Sequence, residues 1–380
     1  MPITILTVMG TRPEAVKMAP VVQALAARDA FDVKVALTAQ HREMLDQVMR
    51  QFGLSADIDL DIMQPRQTLA EITTRALTGL QQAYEEVKPD IVLAQGDTTT
   101  VFAAALAAYY ARIPFGHVEA GLRTGNKYSP YPEEMNRRLA GVLADLHFAP
   151  TDTARDNLLA EKVPAEDIFV TGNTVIDALL WAADHGTLNP DYAWVDELAG
   201  PLVLVTAHRR ENWGEPLRQA CLGMRDLLER VPDAFLVYAV HRNPVVRETA
   251  QEILGSHPRV RLIEPPDYFD FVQLMKRARL ILTDSGGIQE EAPSLGVPVL
   301  VLRDTTERPE AVTAGVAKLI GPDRGRIFDE GGRLLLDPRA HAAMARAANP
   351  YGDGKAARRI AEILDDYFAK REGSVLNPQS

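Results

Sequence analysis

The sequence predicts an α/β protein of two doubly wound parallel sheets, one per domain. Three observations carry this expectation. Short apolar runs of strand length alternate with helical periodicity over most of the chain. Several runs end in a glycine-bearing turn that opens a helix, as at Gly10-Thr11-Arg12-Pro13-Glu14 and Thr283-Asp284-Ser285-Gly286-Gly287. The length of 380 residues suffices for two domains, each with a core of its own.

Ile3 to Val8 is the first strand. In the turn after it, Thr11 and Glu14 stand at capping-box spacing. Pro13 falls in the first helical turn, where its missing N–H costs nothing. Helical periodicity runs from Ala15 to Ala27, with Arg12 at the helix mouth and Lys17 about a turn further on. Two cations at the carboxyl end of a first strand point to an anion, although solvated side chains would read the same. Val33 to Leu37 is the next strand, and Gln40-His41-Arg42-Glu43 opens a helix. Arg66-Gln67-Thr68 precedes a long helix ending at Val87. Ile91 to Ala94 is a buried strand that ends in Gln95-Gly96-Asp97-Thr98. Asp97 is either the N-cap of the Thr98 to Ala111 helix or a functional acid. Pro114 to Val118 ends at Glu119, and a Gly-, Pro- and Tyr-rich loop from Thr124 to Pro132 leads to Glu133. Ligands of doubly wound sheets sit beyond the carboxyl ends of the strands, the edge shared by Arg12, Asp97 and Glu119. Acids placed there are candidates for proton transfer. No HExxH, Cys/His cluster or D-x-D-x-D-G loop accompanies them, so no metal site is expected.

Ile168 to Thr171 closes the first domain, and Gly172-Asn173 marks the crossing, which gives domains over 1–172 and 173–355. Asp191 to Gly200 reads as an irregular connection. Leu202 to Val205 starts the second sheet and ends in Thr206-Ala207-His208-Arg209-Arg210-Glu211-Asn212, where a His and two Arg can neutralise a diphosphate. Phe235 to Val240, Val260 to Ile263, Leu280 to Leu282 and Pro298 to Leu302 continue that sheet. Ser285 suits an N-cap, and Gly286 and Gly287 leave first-turn N–H groups bare, a seat for phosphate. The same turn would serve as an ordinary strand–helix junction. Glu291 follows at a distance from which it can accept ribose hydroxyls, and Arg308 marks the next strand end. Phe269 and Phe271, read as lying just before the helix through Lys276, either border a flat base or join the core. A terminal helix is expected over about 356 to 371.

The chain is 46% hydrophobic and 24% charged, as in ordinary globular proteins. A net charge of −11 argues against nucleic acid or an anionic membrane as partner, so an anionic ligand needs a local cluster of cations. The single cysteine, Cys221, falls in an expected helix from Gly214 to Arg230 and reads as core. No signal peptide is evident and no apolar stretch approaches the roughly 18 residues that span a bilayer. The expected location is cytoplasmic.

Two facing domains, one with a phosphate seat and the other with carboxylates, suggest a cleft enzyme acting on a nucleotide-linked substrate. The motifs GTRPEAVKMAP, TAQHREMLDQ, QGDTTT, HVEAGLRT, YSPYPEEMNRR, TGNTVIDAL, TAHRRENWGEP, LTDSGGIQEEAPSLGVPVLVLRDTTERPEAV and NPYGDG closely resemble the non-hydrolysing UDP-N-acetylglucosamine 2-epimerases, across nearly the whole length. The resemblance implies two Rossmann-like domains of the GT-B type, with the last helix packed back on the first. It implies interconversion of UDP-GlcNAc and UDP-ManNAc without metal or nicotinamide, through 2-acetamidoglucal and UDP. Asp97, Glu119 and Glu133 would be the acids near sugar C2, and Arg12, His208 and Arg308 the groups facing the departing diphosphate. Lys17 joins the substrate set. Ser285, Gly286 and Gly287 would hold phosphate, Glu291 the ribose and Phe271 the uracil region. An activator site for a second UDP-GlcNAc would be lined by Gln40, Arg66, Gln67, Glu133, Arg209 and His241. Glu43 stands where close relatives often carry Gln, and Pro266 where some carry a polar residue. The resemblance further implies a homodimer.

Alternatives within the same architecture are an epimerase of a modified UDP-2-acetamido sugar and a GT-B glycosyltransferase, which would need an acceptor site. A hydrolysing epimerase would release N-acetylmannosamine and UDP. A UDP-sugar sensor would bind without turnover, and the presence of Asp97, Glu119 and Glu133 speaks against it.

Overall fold

The computed structural model describes residues 2–38, 42–64 and 66–376, without the side chains of residues 42–44 and 372–376. The chain divides into two compact units, one of residues 1–178 with 351–380 and one of residues 179–350. Each contains a wholly parallel sheet flanked by helices, the fold class expected.

The first sheet comprises β1 (Ile3–Met9), β2 (Phe31–Leu37), β3 (Ile58–Asp59), β4 (Ile91–Gln95), β5 (Phe115–Val118), β6 (Leu146–Ala149) and β7 (Ile168–Val170). Their spatial order is β3-β2-β1-β4-β5-β6-β7. The helices between them are α1 (Arg12–Ala26), α2 (Arg42–Gln51), α3 (Leu69–Val87), α4 (Thr99–Ala111), α5 (Glu133–Leu143) and α6 (Asp152–Ala160). β4 is buried at every position because parallel strands covered on both faces read as continuous apolar runs. α4 is similarly apolar all round, and its alanines pack beneath the sheet with Leu80, Tyr84 and Phe115. The C-terminal helix (Ala356–Leu376) belongs to this unit and packs on α1.

α7 (Thr174–His185) carries the chain from the first unit into the second. The second sheet comprises β8 (Leu202–Thr206), β9 (Phe235–Ala239), β10 (Val260–Ile263), β11 (Ala278–Thr283), β12 (Val299–Val301) and β13 (Ala317–Leu319), in the order β10-β9-β8-β11-β12-β13. α8 (Glu215–Arg230), α9 (Pro244–Leu254), α10 (Tyr268–Arg277), α11 (Gly286–Glu291) and α12 (Pro309–Thr313) alternate with them. Its core gathers Leu217, Met224, Leu227, Tyr238, Leu280 and Leu300. Cys221 lies fully buried there, and burial pushes its thiol up to about 12, which makes it an inert core residue.

The structure corrects several local expectations. Asp191 to Gly200 is not irregular throughout, since residues Pro190–Glu197 form 3₁₀ turns opened by the Asn189 side chain. Phe269 and Phe271 lie inside α10 rather than before it, because Asp267 caps that helix through the Asp270 N–H. The short strands β3, β6 and β13, and the helix α6, complete the alternation.

In both sheets the strand order reverses once, between β1 and β4 in the first and between β8 and β11 in the second. Crevices at such reversals, beyond the carboxyl ends of the strands, are where doubly wound sheets hold their ligands. The residues singled out from the sequence follow these strands.

Candidate active site

In the first unit the loops after β1, β4 and β5 carry the acids and their partners. α1 opens with the expected capping box. The Glu14 carboxylate accepts the Gly10 and Thr11 N–H groups at 2.7 and 2.6 Å, and the Thr98 hydroxyl donates to its other oxygen. Glu14 thereby joins the mouths of α1 and α4 across the strand reversal. Burial raises its carboxyl above the usual range, while these hydrogen bonds act in the opposite direction. Arg12 is the first residue of α1 and is exposed.

Asp97 is not the cap of α4. Thr98 takes that role, accepting the Val101 N–H, and Asp97 is left for other work. Its carboxylate is paired with the Arg137 guanidinium, and its carbonyl accepts the Asn136 amide at 3.0 Å. Arg137 also donates to the Glu119 carbonyl, so one buried cation from α5 fixes the backbone of one acid and the side chain of another. Glu119 itself sits at φ +62, a left-handed backbone that a non-glycine residue rarely adopts. Its carboxylate, 5% exposed, receives the Lys17 ammonium at 2.9 and 2.8 Å on its two oxygens and the Gln95 amide besides. Each of the two acids thus has a cation of its own.

Glu133 is the first residue of α5, and its buried Oε2 has no hydrogen-bond partner among the described residues. An orphaned carboxylate oxygen of this kind asks for a functional explanation. Its neighbour Glu134 is structural: it accepts the Thr124 and Gly125 N–H groups at 3.0 and 3.3 Å and anchors the loop before α5. His117 lies fully buried, its Nε2 2.8 Å from the carbonyl of Gly96, the residue before Asp97, and burial lowers it to about 3. It is a neutral histidine that holds the Asp97 turn.

In the second unit the loops after β8, β11 and β12 converge. Asp284 is fully buried, and its Oδ2 accepts the His208 N–H and the Arg209 N–H, both at 2.8 Å, and the Asn212 amide at 3.1 Å. One carboxylate oxygen therefore shapes the whole His208–Asn212 turn. The Arg209 guanidinium borders the Gly286 Cα, with Nη2 3.9 Å from where a Cβ would stand. Ser285 is the N-cap of α11 by backbone conformation but not by hydrogen bonding, since its hydroxyl makes no cap bond. The Gly286 and Gly287 amides are thus left uncapped by it. Glu291 Oε1 lies 3.5 Å from the position of a Gly287 Cβ, so its carboxylate adjoins the same turn. Arg308, one residue before α12, is ion-paired with the buried Glu290. Phe271 is half-buried on α10, whereas Phe269 is core and meets Trp181 edge-on at 6.0 Å. The His208 ring is 41% exposed and stacks on His241 at 5.6 Å.

Of the residues assigned to an activator, Arg66 lies at φ +61 in the loop before α3, and Gln67 braces that loop through the Gln64 N–H and the Ile62 carbonyl, both at 2.8 Å. Gln40 and the Glu43 side chain lie outside the described residues. Sequence reasoning missed Arg137, Gln95, Glu290, Asp284 and Arg303. Arg303 is buried and paired with Glu211 and Glu307, and it draws the Glu307 carboxyl down to about 2. Arg137 was the most accessible of these, since it follows Glu133 by four residues on the same face of α5.

The UDP-N-acetylglucosamine 2-epimerase family model matches residues 23–365. The UDP-N-acetylglucosamine 2-epimerase of Escherichia coli (strain K12) is 57% identical over 368 residues, 95% of this chain and 98% of that protein. That of Bacillus subtilis (strain 168) is 54% identical over 368 residues, covering 97% of this chain and 96% of the relative. The crystal structure of UDP-GlcNAc 2-epimerase from Neisseria meningitidis bound to UDP-GlcNAc superposes with a TM-score of 0.83 at 50% identity, over 96% of this chain and 100% of the other. With both strand reversals carrying the acids and cations described, this chain belongs to the UDP-N-acetylglucosamine 2-epimerase family of isomerases.

Proposed function

We propose that the protein interconverts UDP-GlcNAc and UDP-ManNAc at C2 without hydrolysis. The observation that carries this is the trio of acids after β4 and β5 and at the start of α5. Asp97 and Glu119 are each held by a cation, and Glu133 keeps a buried oxygen without a partner among the described residues. Inversion at C2 needs a base on either face of the sugar ring, and such an arrangement supplies acids for both.

A carboxylate takes the C2 proton. The electron pair forms a C1–C2 double bond, and the C1–O bond breaks with its electrons leaving on UDP. The products held on the enzyme are 2-acetamidoglucal and UDP. Re-addition of UDP at C1, with a proton delivered to the other face of C2, gives the epimer. Asp97, Glu119 and Glu133 are the acids of these steps. Arg12, His208 and Arg308 stabilise charge on the diphosphate, and Lys17 belongs to the substrate set beside Glu119. Ser285, Gly286 and Gly287 hold phosphate, Glu291 the ribose and Phe271 the uracil region.

Activation by a second UDP-GlcNAc at Gln40, Arg66, Gln67, Glu133, Arg209 and His241 belongs to the same proposal, as do a homodimer and a cytoplasmic location. The domain division proposed from the sequence, 1–172 with the C-terminal helix and 173–355, assigns the acids to one domain and UDP to the other.

Proton NMR of UDP-GlcNAc with the protein in D2O tests this. Expected is UDP-ManNAc, with deuterium at C2 of both sugars. Free N-acetylmannosamine with UDP would instead mean hydrolysis, and no exchange at C2 would sink the proposal. Asp97→Asn is expected to lower turnover at least ~100-fold while UDP still binds.

A further inference from the structure

We propose that Asp284 is a positioning residue for the reaction: it fixes the His208 ring, places a proton on Nδ1 and leaves Nε2 as the nitrogen that meets the diphosphate. The inference rests on the role assigned to His208 above and adds the group that makes the role possible.

Asp284 is fully buried and stands between β11 and α11, the strand and helix that bear the Ser-Gly-Gly turn. Its two oxygens have different surroundings. Oδ2 is saturated by the His208 N–H, the Arg209 N–H and the Asn212 amide. Oδ1 has no hydrogen-bond partner among the described residues, and the group it faces is the His208 Nδ1, 3.5 Å away. A buried carboxylate oxygen without a partner is costly unless it serves a neighbouring charge. Because Oδ2 grips the backbone of residues 208 and 209 while Oδ1 faces the ring, one carboxylate sets both where the histidine is and how it is turned. A carboxylate at Nδ1 selects the Nδ1–H tautomer and stabilises the imidazolium when a second anion approaches Nε2.

Among the described residues, three charged or titratable groups act on the ring. Asp284 favours its protonation, whereas His241, stacked from the end of β9, and the adjacent Arg209 oppose it, as does burial, whose effect is the largest. The net direction is downward from the ordinary histidine value, and among the described residues Asp284 is the group that opposes it. Departure of UDP puts negative charge on the diphosphate, and an imidazolium held in place meets it without reorganisation.

The experiment uses the full chain. In the wild type, ¹⁵N shifts of the His208 ring, assigned by comparison with His208→Gln, should report the Nδ1–H tautomer in the neutral form; the Nε2–H tautomer would overturn the proposal, and this readout does not depend on any Asp284 variant folding. In Asp284→Asn, the His208 titration should move down by about one pH unit or more. The alkaline limb of kcat should move down with it, giving a roughly tenfold loss at pH 8 with little change in KM. Asn212→Ala, which removes a ligand of Oδ2 but not the charge, should leave the titration in place. An unmoved titration in folded, UDP-binding Asp284→Asn protein, or a moved titration with an unchanged rate profile, would each overturn the proposal. Absence of C2 exchange in the wild type would remove the epimerase proposal, and the tautomer and titration would still decide the pairing on their own.

Discussion

Two buried histidines contribute to how the first unit responds to pH. His117 and His147 face each other as register partners on β5 and β6 and are both buried. Burial lowers His117 to about 3 and His147 to about 4. In the unfolded chain each would take up a proton near pH 6.5. Between that value and the folded values the unfolded state binds more protons, so stability falls as pH falls, by up to about 1.4 kcal/mol per pH unit for each histidine. Replacing His117 by Gln retains a donor for the Gly96 carbonyl, 2.8 Å from Nε2, but removes the proton. The variant should lose about 1 kcal/mol at pH 7 through imperfect geometry and show a flatter decline in Tm between pH 6.5 and 4. Calorimetry across that range would decide; parallel slopes for the two proteins would mean that His117 is not the group responsible. None of this was legible in the sequence, where His117 is simply one residue of an apolar run. Asp97 was legible as an acid at a strand end, but its freedom from capping was not, because Asp and Thr are both good N-caps and the two stand side by side.

At the scale of elements, the strand ends matter more than the strands. The turn after β5 must carry Glu119 in a left-handed conformation and then double back beneath α6, which places Gly121 at φ +87. A Cβ there would stand 2.2 Å from the Ala154 carbonyl oxygen, a clash with backbone that no rotamer relieves. Gly121→Ala is therefore expected to cost several kcal/mol, from positive φ and overpacking together. Because the displaced turn carries Glu119 two residues upstream, kcat should fall more than Tm alone would predict. Steady-state kinetics at a temperature well below Tm would separate the two, and a variant with native kcat would show that the turn is not what holds the acid. Elements of this kind were readable where a glycine turn followed a long apolar run, as after β1, β4 and β11. They were missed at β6 and β13, of four and three residues, where so short a run gives no periodicity of its own; β7 and β12 are as short and were read, so length alone does not decide. Arg137 was missed for a different reason: a helix rich in charge reads as a solvated face, and only the fold turns that residue towards the strand ends.

The two units differ as pieces of chain. The second is continuous, residues 179–350, whereas the first is completed by residues 351–380 returning from the far end of the sequence. That return is made by specific bonds. The Asn173 N–H donates to the Tyr351 carbonyl at 2.8 Å. The Asp177 carboxylate accepts the Ala356 and Ala357 N–H groups at 3.2 and 2.9 Å, capping the C-terminal helix from outside it. Arg359 reaches the Thr171 carbonyl and pairs with both oxygens of Asp353 at 2.8 Å. Arg28 of the α1–β2 turn pairs with Asp365 on the same helix. A side-chain cap alone contributes about 1 kcal/mol, and burial of Ile360, Ala361 and Leu364 adds about 1.5 to 3 kcal/mol for each large side chain. Against a typical stability of 5–15 kcal/mol, loss of the helix is enough to unfold the first unit. A chain ending at Pro350 should therefore lose epimerisation and the unfolding transition of the first unit, yet keep UDP binding at the groups proposed in the second unit, whose core is intact, weakened by the loss of Arg12. Calorimetric unfolding and UDP titration of that truncated chain test this together. Retained turnover would show that the first sheet closes without the returning helix, and loss of UDP binding would show that the two units do not fold independently.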